Sequence, residues 1–354
     1  MEAYSFVLSF TIVASIISQL IKNKSLNNLL FFISISLIAS IIMFRDKSIG
    51  VDTIAYYDYF KNPAAGYWFG EQIKEPLYRW YQLGFKGIWD NAYAYISITS
   101  LITLLPIIYL FKNYSLNKSL SSFLFLTVGT TTLCLLIYLA AVRQCLMLSL
   151  LLWSILLYKE NGFKINKAST LLFISSFLIH FSAIVYLPII YFASKEYTKR
   201  KLLMGIIVSL ILGIFIMNLF PFIQSVALYF NKGYYANLMQ DNNWSIGVIL
   251  PYSFFCIALI CLKKEIVFFD KLVIFGTMLN NLFSTMGDSI RLFLPFLVIS
   301  CVCLANLVNY KYINKLYRTV LLIIIILYFS DKFFKVLHND TSFMVFYPYK
   351  SFLF

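Results

Sequence analysis

Charge is what this chain has least of. Lys, Arg, Asp and Glu make up 12% of its 354 residues, against roughly 25% in soluble domains, while hydrophobic residues reach 61%. A soluble globular protein is excluded, because apolar stretches of about 20 residues recur along the whole chain. Carboxylates are the scarcer charge, 15 against 29 Lys and Arg, and they form no dense set that would suit Mg²⁺. Disulfide and zinc frameworks are missing too. Cys134, Cys145, Cys256, Cys261, Cys301 and Cys303 all lie in apolar runs, and Cys301-x-Cys303 has no second ligand pair. The opening MEAYSFVLSF has neither a basic n-region nor a small-residue cleavage site, so it reads as a first helix rather than a cleavable signal. No repeat or low-complexity linker is visible. The abundance of Ile, Phe, Lys and Asn is compatible with a low-GC genome alone.

The net charge of +14 invites a nucleic-acid reading, which its distribution opposes. Helices are expected at Tyr4–Ile21, Leu29–Phe44 and Ala92–Phe111. Ser119–Tyr158 is long enough for two spans with an outer turn near Tyr138–Arg143. Ala168–Ser194 fits two half-helices meeting near His180, and Pro188 supports a broken helix there. Further helices are expected at Leu202–Phe220, Ile246–Leu262, Leu272–Thr285, Leu292–Asn309 and Thr319–Phe334. This gives about 12 transmembrane or half-membrane helices of the usual spanning length in one integral domain, residues 1–354. Outer loops fall at 45–91 and 221–245. With this topology 17 of the 29 bases and four of the 15 acids lie inside, as the positive-inside rule expects. No nucleic-acid partner is expected.

The stretch RDKSIGVDTIAYYDYF, Arg45 to Phe60, is the most polar, turn-rich piece directly after an apolar run. Gly50 suits a tight turn, and Asp52 is placed to cap a short interfacial helix. Downstream, KEPLYRWYQLGFKGIWDN alternates bases and aromatics at helical spacing, which suits a membrane surface. The topology then brings Arg45, Asp52, Glu75, Arg143, Gln144, His180, Ser182, Asp288 and Arg291 to the outer face. Each has a plainer reading alone. The arginines can snorkel, His180 can be a packing residue, Asp52 only a cap, and Asp288 a structural partner of Arg291.

Several arginines, one histidine and few carboxylates at an outer surface suit a lipid-linked diphosphate. The guanidinium fork holds phosphate oxygens and keeps its proton, so Arg143 and Arg291 would hold the donor, with Arg45 as a third contact. His180, or else Asp52, would take a proton from a sugar hydroxyl or orient the acceptor. Trp68, Tyr78, Trp80, Tyr81 and Trp89 can stack on sugars or form an interfacial belt. Transfer without a metal or cofactor is expected.

The ordered elements resemble the EpsG family: Arg45 with Gly50-x-Asp52-Thr53, Glu75-Pro76-x-Tyr78, Val142-Arg143-Gln144-x-Leu146, His180-x-Ser182-Ala183, Asp288 before Arg291-Leu292-x-x-Pro295-Phe296, and Tyr347-Pro348-Tyr349. The resemblance implies an all-α polytopic, GT-C-like glycosyltransferase of the Wzy type. It would polymerise undecaprenyl-diphosphate-linked oligosaccharides, as donor and acceptor, into O-antigen, capsule or exopolysaccharide. Arg45, Thr53, Glu75, Gln144, Asp288, Tyr347 and Tyr349 would bind substrate. The setting would be the bacterial inner (cytoplasmic) membrane, the site facing outward, with a chain-length regulator and a flippase as partners. A ligase of the same reaction type, a lipid-linked glycan flippase or transporter, and an outer-face acyltransferase are the rivals. A flippase would need polar groups through both leaflets, whereas the inner half here looks apolar.

Overall fold

The computed structural model describes residues 2–21, 23–50, 52–62, 67–68, 71–72, 75–129, 133–229, 246–283, 289–339 and 349–353. Among them, regular structure is helical apart from one antiparallel pair of two-residue strands, β1 (Tyr67–Trp68) and β2 (Glu71–Gln72). The helices are α1 (Glu2–Leu20), α2 (Lys24–Met43), α3 (Thr53–Lys61), α4 (Pro76–Ile88), α5 (Ala92–Tyr114), α6 (Lys118–Thr127), α7 (Cys134–Ala140), α8 (Val142–Glu160), α9 (Lys167–Ile179), α10 (Tyr186–Ala193), α11 (Lys199–Tyr229), α12 (Ile246–Leu262), α13 (Phe268–Phe283), α14 (Ser289–Val308) and α15 (Lys315–Asn339). Among the described residues, α1, α2, α5 and α8 are long and apolar enough to cross a membrane, and shorter apolar helices accompany them. The protein is thus an all-helical membrane protein.

Asparagine starts four of these helices. Asn23, Asn91, Asn117 and Asn166 each accept backbone N–H bonds from the first turn of α2, α5, α6 and α9. The last is a capping box, with Ser169 returning the bond to Asn166. Part of the asparagine content therefore has a local structural use. Asp52 differs from expectation. It precedes α3, but its side chain makes no capping bond.

Two compact units emerge, Met1–Ile184 with Leu304–Phe354, and Val185–Cys303. In the first, α1, α2 and α6 pack together, α5 lies against α2 and α8, and α8 and α9 form an antiparallel hairpin. Helix α6 is buried at every residue from Ser119 to Thr127. It is only 10 residues long. That is about half a membrane span. The two full spans expected between Ser119 and Tyr158 are therefore corrected to the half-helix α6, the short α7 and one full helix, α8. The Cys134 N–H donates to Val128 O at 2.8 Å. The expected turn near 138–143 is present as a break at Ala141, between α7 and α8.

The expected break near His180 is observed. α9 ends there in extended backbone (φ −157°, ψ 118°), and a 3₁₀ turn, Phe181–Val185, leads into α10. Pro188 does not cause the break; it sits in the first turn of α10, where its missing N–H costs little.

In the second unit, Asn281 of α13 donates to Ser209 of α11 at 2.9 Å and to Ser253 of α12 at 3.2 Å, a polar tie among three apolar helices. Lys263 and Asp270, 2.7 Å apart and buried, close the α12–α13 turn. The outer loop expected from residue 221 is corrected: α11 continues through Pro221 to Tyr229. The rest of it, 230–245, lies outside the described residues.

Candidate functional site

α2 ends at Met43, and the chain turns inward at Arg45 rather than out to solvent. Arg45 is fully buried. One terminal nitrogen, Nη1, donates to Ile42 O and, at 3.0 Å, to Ser100 Oγ. Nε and Nη2 are buried and have no partner among the described residues. Burial lowers the Arg45 pKa to about 10, which leaves it charged at neutral pH. Tyr349 meets it from the far end of the chain. Arg45 and Ser351 form an antiparallel bridge, Asp46 N–H donates to Lys350 O at 2.9 Å, and Tyr349 donates to Ile41 O at 3.0 Å. Beside this tail lies a cavity of about 710 Å³ lined by Ser40, Phe44, Asp46 and Tyr349, among others. Neither Arg143 nor Glu75 lines it.

Gly50 makes the next contact. Its φ is +94°, a conformation that side chains with a Cβ resist. A Cβ there would stand 2.6 Å from Leu139 O and 3.0 Å from Ala140 Cα. The turn thus presses on the end of α7, and Thr53 locks it by donating to Leu139 O at 2.9 Å. Thr53 is buried, with its hydroxyl committed to this bond. Asp52 is half-buried at the same turn.

Immediately past the pinned α7 end, α8 begins with Val142 and Arg143. Arg143 Nη1 lies 3.2 Å from Glu75 Oε2, with side-chain exposures of 18% and 13%. Its guanidinium carbon stands 5.9 Å from the centre of the Tyr78 ring, within cation–π range. Tyr78 is wholly buried, accepts a hydrogen bond from Tyr95 at 3.1 Å, and meets the edge of Tyr56. It is therefore a wall of the arginine site and not a surface platform for sugars. Trp80 and Trp89 are exposed; the Trp68 side chain lies outside the described residues. Gln144 is buried beside Arg143. Glu75 occupies the N-cap position of α4 but caps nothing, because its carboxylate is turned to Arg143.

His180 stands at the same height as Arg143. Across the α8–α9 hairpin, Ser154 Oγ donates to Ser169 O at 2.7 Å, which fixes the register. His180 lies as many residues beyond Ser169 as Arg143 lies before Ser154. With an equal rise of about 1.5 Å per residue, both reach one level at the open end of the hairpin. α9 also packs on α4, the helix that follows Glu75. The Ser182 N–H donates to His180 Nδ1 at 3.3 Å, and Ser182 Oγ lies 3.0 Å from the same nitrogen. The neutral ring then carries its proton on Nε2, and it faces its surroundings as a hydrogen-bond donor.

The first unit therefore gathers Arg45, Thr53, Glu75, Arg143, Gln144, His180 and Tyr349 at one end, with Asp52 at the adjoining turn. Arg291 belongs to α14 in the second unit, and its side chain lies outside the described residues, as do Asp288 and Tyr347. Among the described residues, no three His, Cys, Asp or Glu side chains gather as metal ligands.

Sequence reasoning passed over Gln82. It is 1% exposed, and neither amide atom has a partner among the described residues. Its spacing from Glu75 and Tyr78 places all three on one face of α4, which was a readable signal. Ser100, which holds Arg45, carried no comparable signal within an apolar run.

A family model described as the EpsG family matches residues 28–351, nearly the whole chain. No curated protein and no solved structure gives a significant match.

Proposed function

The chain belongs to the EpsG family, which is associated with Wzy-like polymerases, and on that premise we propose a membrane glycosyltransferase that polymerises polyprenyl-diphosphate-linked oligosaccharides. The acceptor is the next lipid-linked repeat unit, and the product is a surface polysaccharide. The sugar hydroxyl oxygen of the acceptor bonds to the anomeric carbon of the donor. The bond from that carbon to the phosphate oxygen breaks, undecaprenyl diphosphate leaves, and the hydroxyl proton passes to a protein base.

One observation carries this reading. Two separated motif elements, Glu75–Tyr78 and Arg143, touch one another, a third, Gly50–Thr53, pins the end of α7 just before Arg143, and the hairpin register brings His180 level with them. A guanidinium held by a carboxylate and an aromatic ring at a helix start is a ready anion site. Arg143 would take the donor diphosphate. Arg45, enclosed by Tyr4, Tyr349 and Ser100, would add positive field rather than direct contact. His180 would donate from Nε2 to a phosphate or sugar oxygen. We place the site on the outer side of the bacterial inner membrane, in a GT-C-like fold of about 12 spanning or half-spanning helices. Transfer would need no metal, so the purified protein should keep its activity in EDTA.

The test is the glycan profile of a strain lacking this protein. Surface glycan that stops at a single repeat unit supports polymerisation. Loss of all surface glycan points to transport of the lipid-linked unit instead. A full-length polymer lacking only its final attachment points to a ligase.

A further inference from the structure

We propose that Glu75 is the base that takes the acceptor proton, and that the donor diphosphate frees it by displacing it from Arg143. This rests on the polymerase reading above. Glu75 is held by one contact, Oε2 to Arg143 Nη1 at 3.2 Å, and no other side-chain bond anchors it among the described residues. It sits at the N-cap of α4 without capping, so no helix amide retains it once Arg143 lets go. A diphosphate carries more charge than a carboxylate and offers several oxygens to the guanidinium fork, so it outcompetes a single-contact carboxylate for Arg143.

The exchange also changes what Glu75 can do. While paired, the carboxylate oxygen that would take the proton is occupied by the guanidinium. With the diphosphate on Arg143, that oxygen is released and can meet the acceptor hydroxyl. The base is thereby switched on only when a donor is present. His180 fits this division of labour. The Ser182 N–H already occupies its Nδ1, so its other nitrogen is a donor. The acceptor oxygen would bond to the anomeric carbon as its proton moves to Glu75, and undecaprenyl diphosphate would leave on Arg143. The proton returns to water when the product departs and Glu75 pairs again with Arg143.

The experiment measures binding and turnover separately, on the full chain in lipid nanodiscs, with undecaprenyl diphosphate as the binding probe. In Glu75→Gln, Arg143 loses its competitor, so the probe should bind about fivefold tighter. Polymerisation should fall by about 100-fold or more. Glu75→Asp keeps the charge but withdraws the carboxylate by one methylene. It should bind the probe as wild type does and polymerise about tenfold slower. Weaker probe binding by Glu75→Gln, or turnover within about threefold of wild type in either variant, overturns the proposal. Should Glu75→Gln fail to fold, Glu75→Asp alone decides it on turnover. If wild type itself binds no undecaprenyl diphosphate, the polymerase reading fails, and this inference with it.

Discussion

The two ends of the first unit carry positive charge in different ways. At one end, Lys24, Lys112, Lys164 and Lys167 are exposed, Lys118 reaches Asn28 at 2.7 Å, and Lys159 lies over the Tyr114 ring. Glu160 there accepts from the exposed hydroxyls of Tyr109 and Tyr114. The other end also has exposed cations, Lys47, Lys61 and Arg79, but two of its arginines are withdrawn from solvent, Arg45 completely and Arg143 largely. Lysine is a strongly hydrated point charge on a flexible stem, which suits a marker of membrane side. Arginine tolerates burial and forms directed pairs, which suits a site. The comparison teaches that the kind of cation and its burial, more than net charge, separate the topological end from the chemical one.

The sharpest way to break this contrast is to remove one cation from each end. Arg143→Ala should lower polymerisation by about 100-fold to 1,000-fold, the scale of a lost charge-stabilising donor. Arg143→Lys should not restore it, since a point charge cannot replace the fork. Lys164→Ala, at the exposed end, should leave the glycan ladder unchanged. Equal effects from Arg143→Ala and Lys164→Ala would erase the distinction. Next in size is Gly50→Ala, where a Cβ meets the Leu139 carbonyl in a backbone conformation alanine resists. It should cost about 2 kcal/mol or more and shift the start of α8, read as a lower melting temperature together with reduced polymer.

The residues at the arginine end were legible because they break the rule of their surroundings. A charged or turn-forming residue beside an apolar run stands out, and Arg45, Gly50, Glu75, Arg143 and His180 each do so. The break at His180 was readable from charge balance, since basic clusters on both sides of one apolar run demand an even number of crossings. What could not be read was partnership. Nothing in the spacing of Glu75 and Arg143, 68 positions apart, says that they pair. The end of α6 at Thr127 escaped because Thr and Gly inside an apolar run do not by themselves mark a helix end. Proline misled at Pro188, since a helix accepts it in the first turn.

Burial at the arginine end can itself be tested. Two nitrogens of Arg45 are buried without partners among the described residues, and so are both amide atoms of Gln82. Unpartnered buried polar groups weaken a fold, so a site kept for function should gain stability when they are made apolar. Arg45→Met should stabilise the purified protein by about 1–3 kcal/mol while lowering polymerisation. Gln82→Leu should do the same on a smaller scale, about 1 kcal/mol. Opposite signs for stability and activity are the expected signature. A loss of both would make Arg45 and Gln82 structural, and would bring the two ends closer in kind.

The smallest effect sharpens the boundary between them. Asp46 sits next to Arg45 yet is only partly covered. Burial pushes its carboxyl up, but bonds from the Ser48 N–H at 2.9 Å and the Tyr93 hydroxyl at 3.0 Å outweigh this and hold it below its ordinary value. A carboxyl depressed in the folded state adds stability above its unfolded pKa and loses it as pH falls through the folded value. Wild type should therefore melt slightly above Asp46→Asn at neutral pH. The gap should close under acid conditions, once both forms carry a neutral side chain at this position. A gap that persisted there would mean that Asp46 holds the Arg45 turn through the geometry of its bonds rather than through its charge.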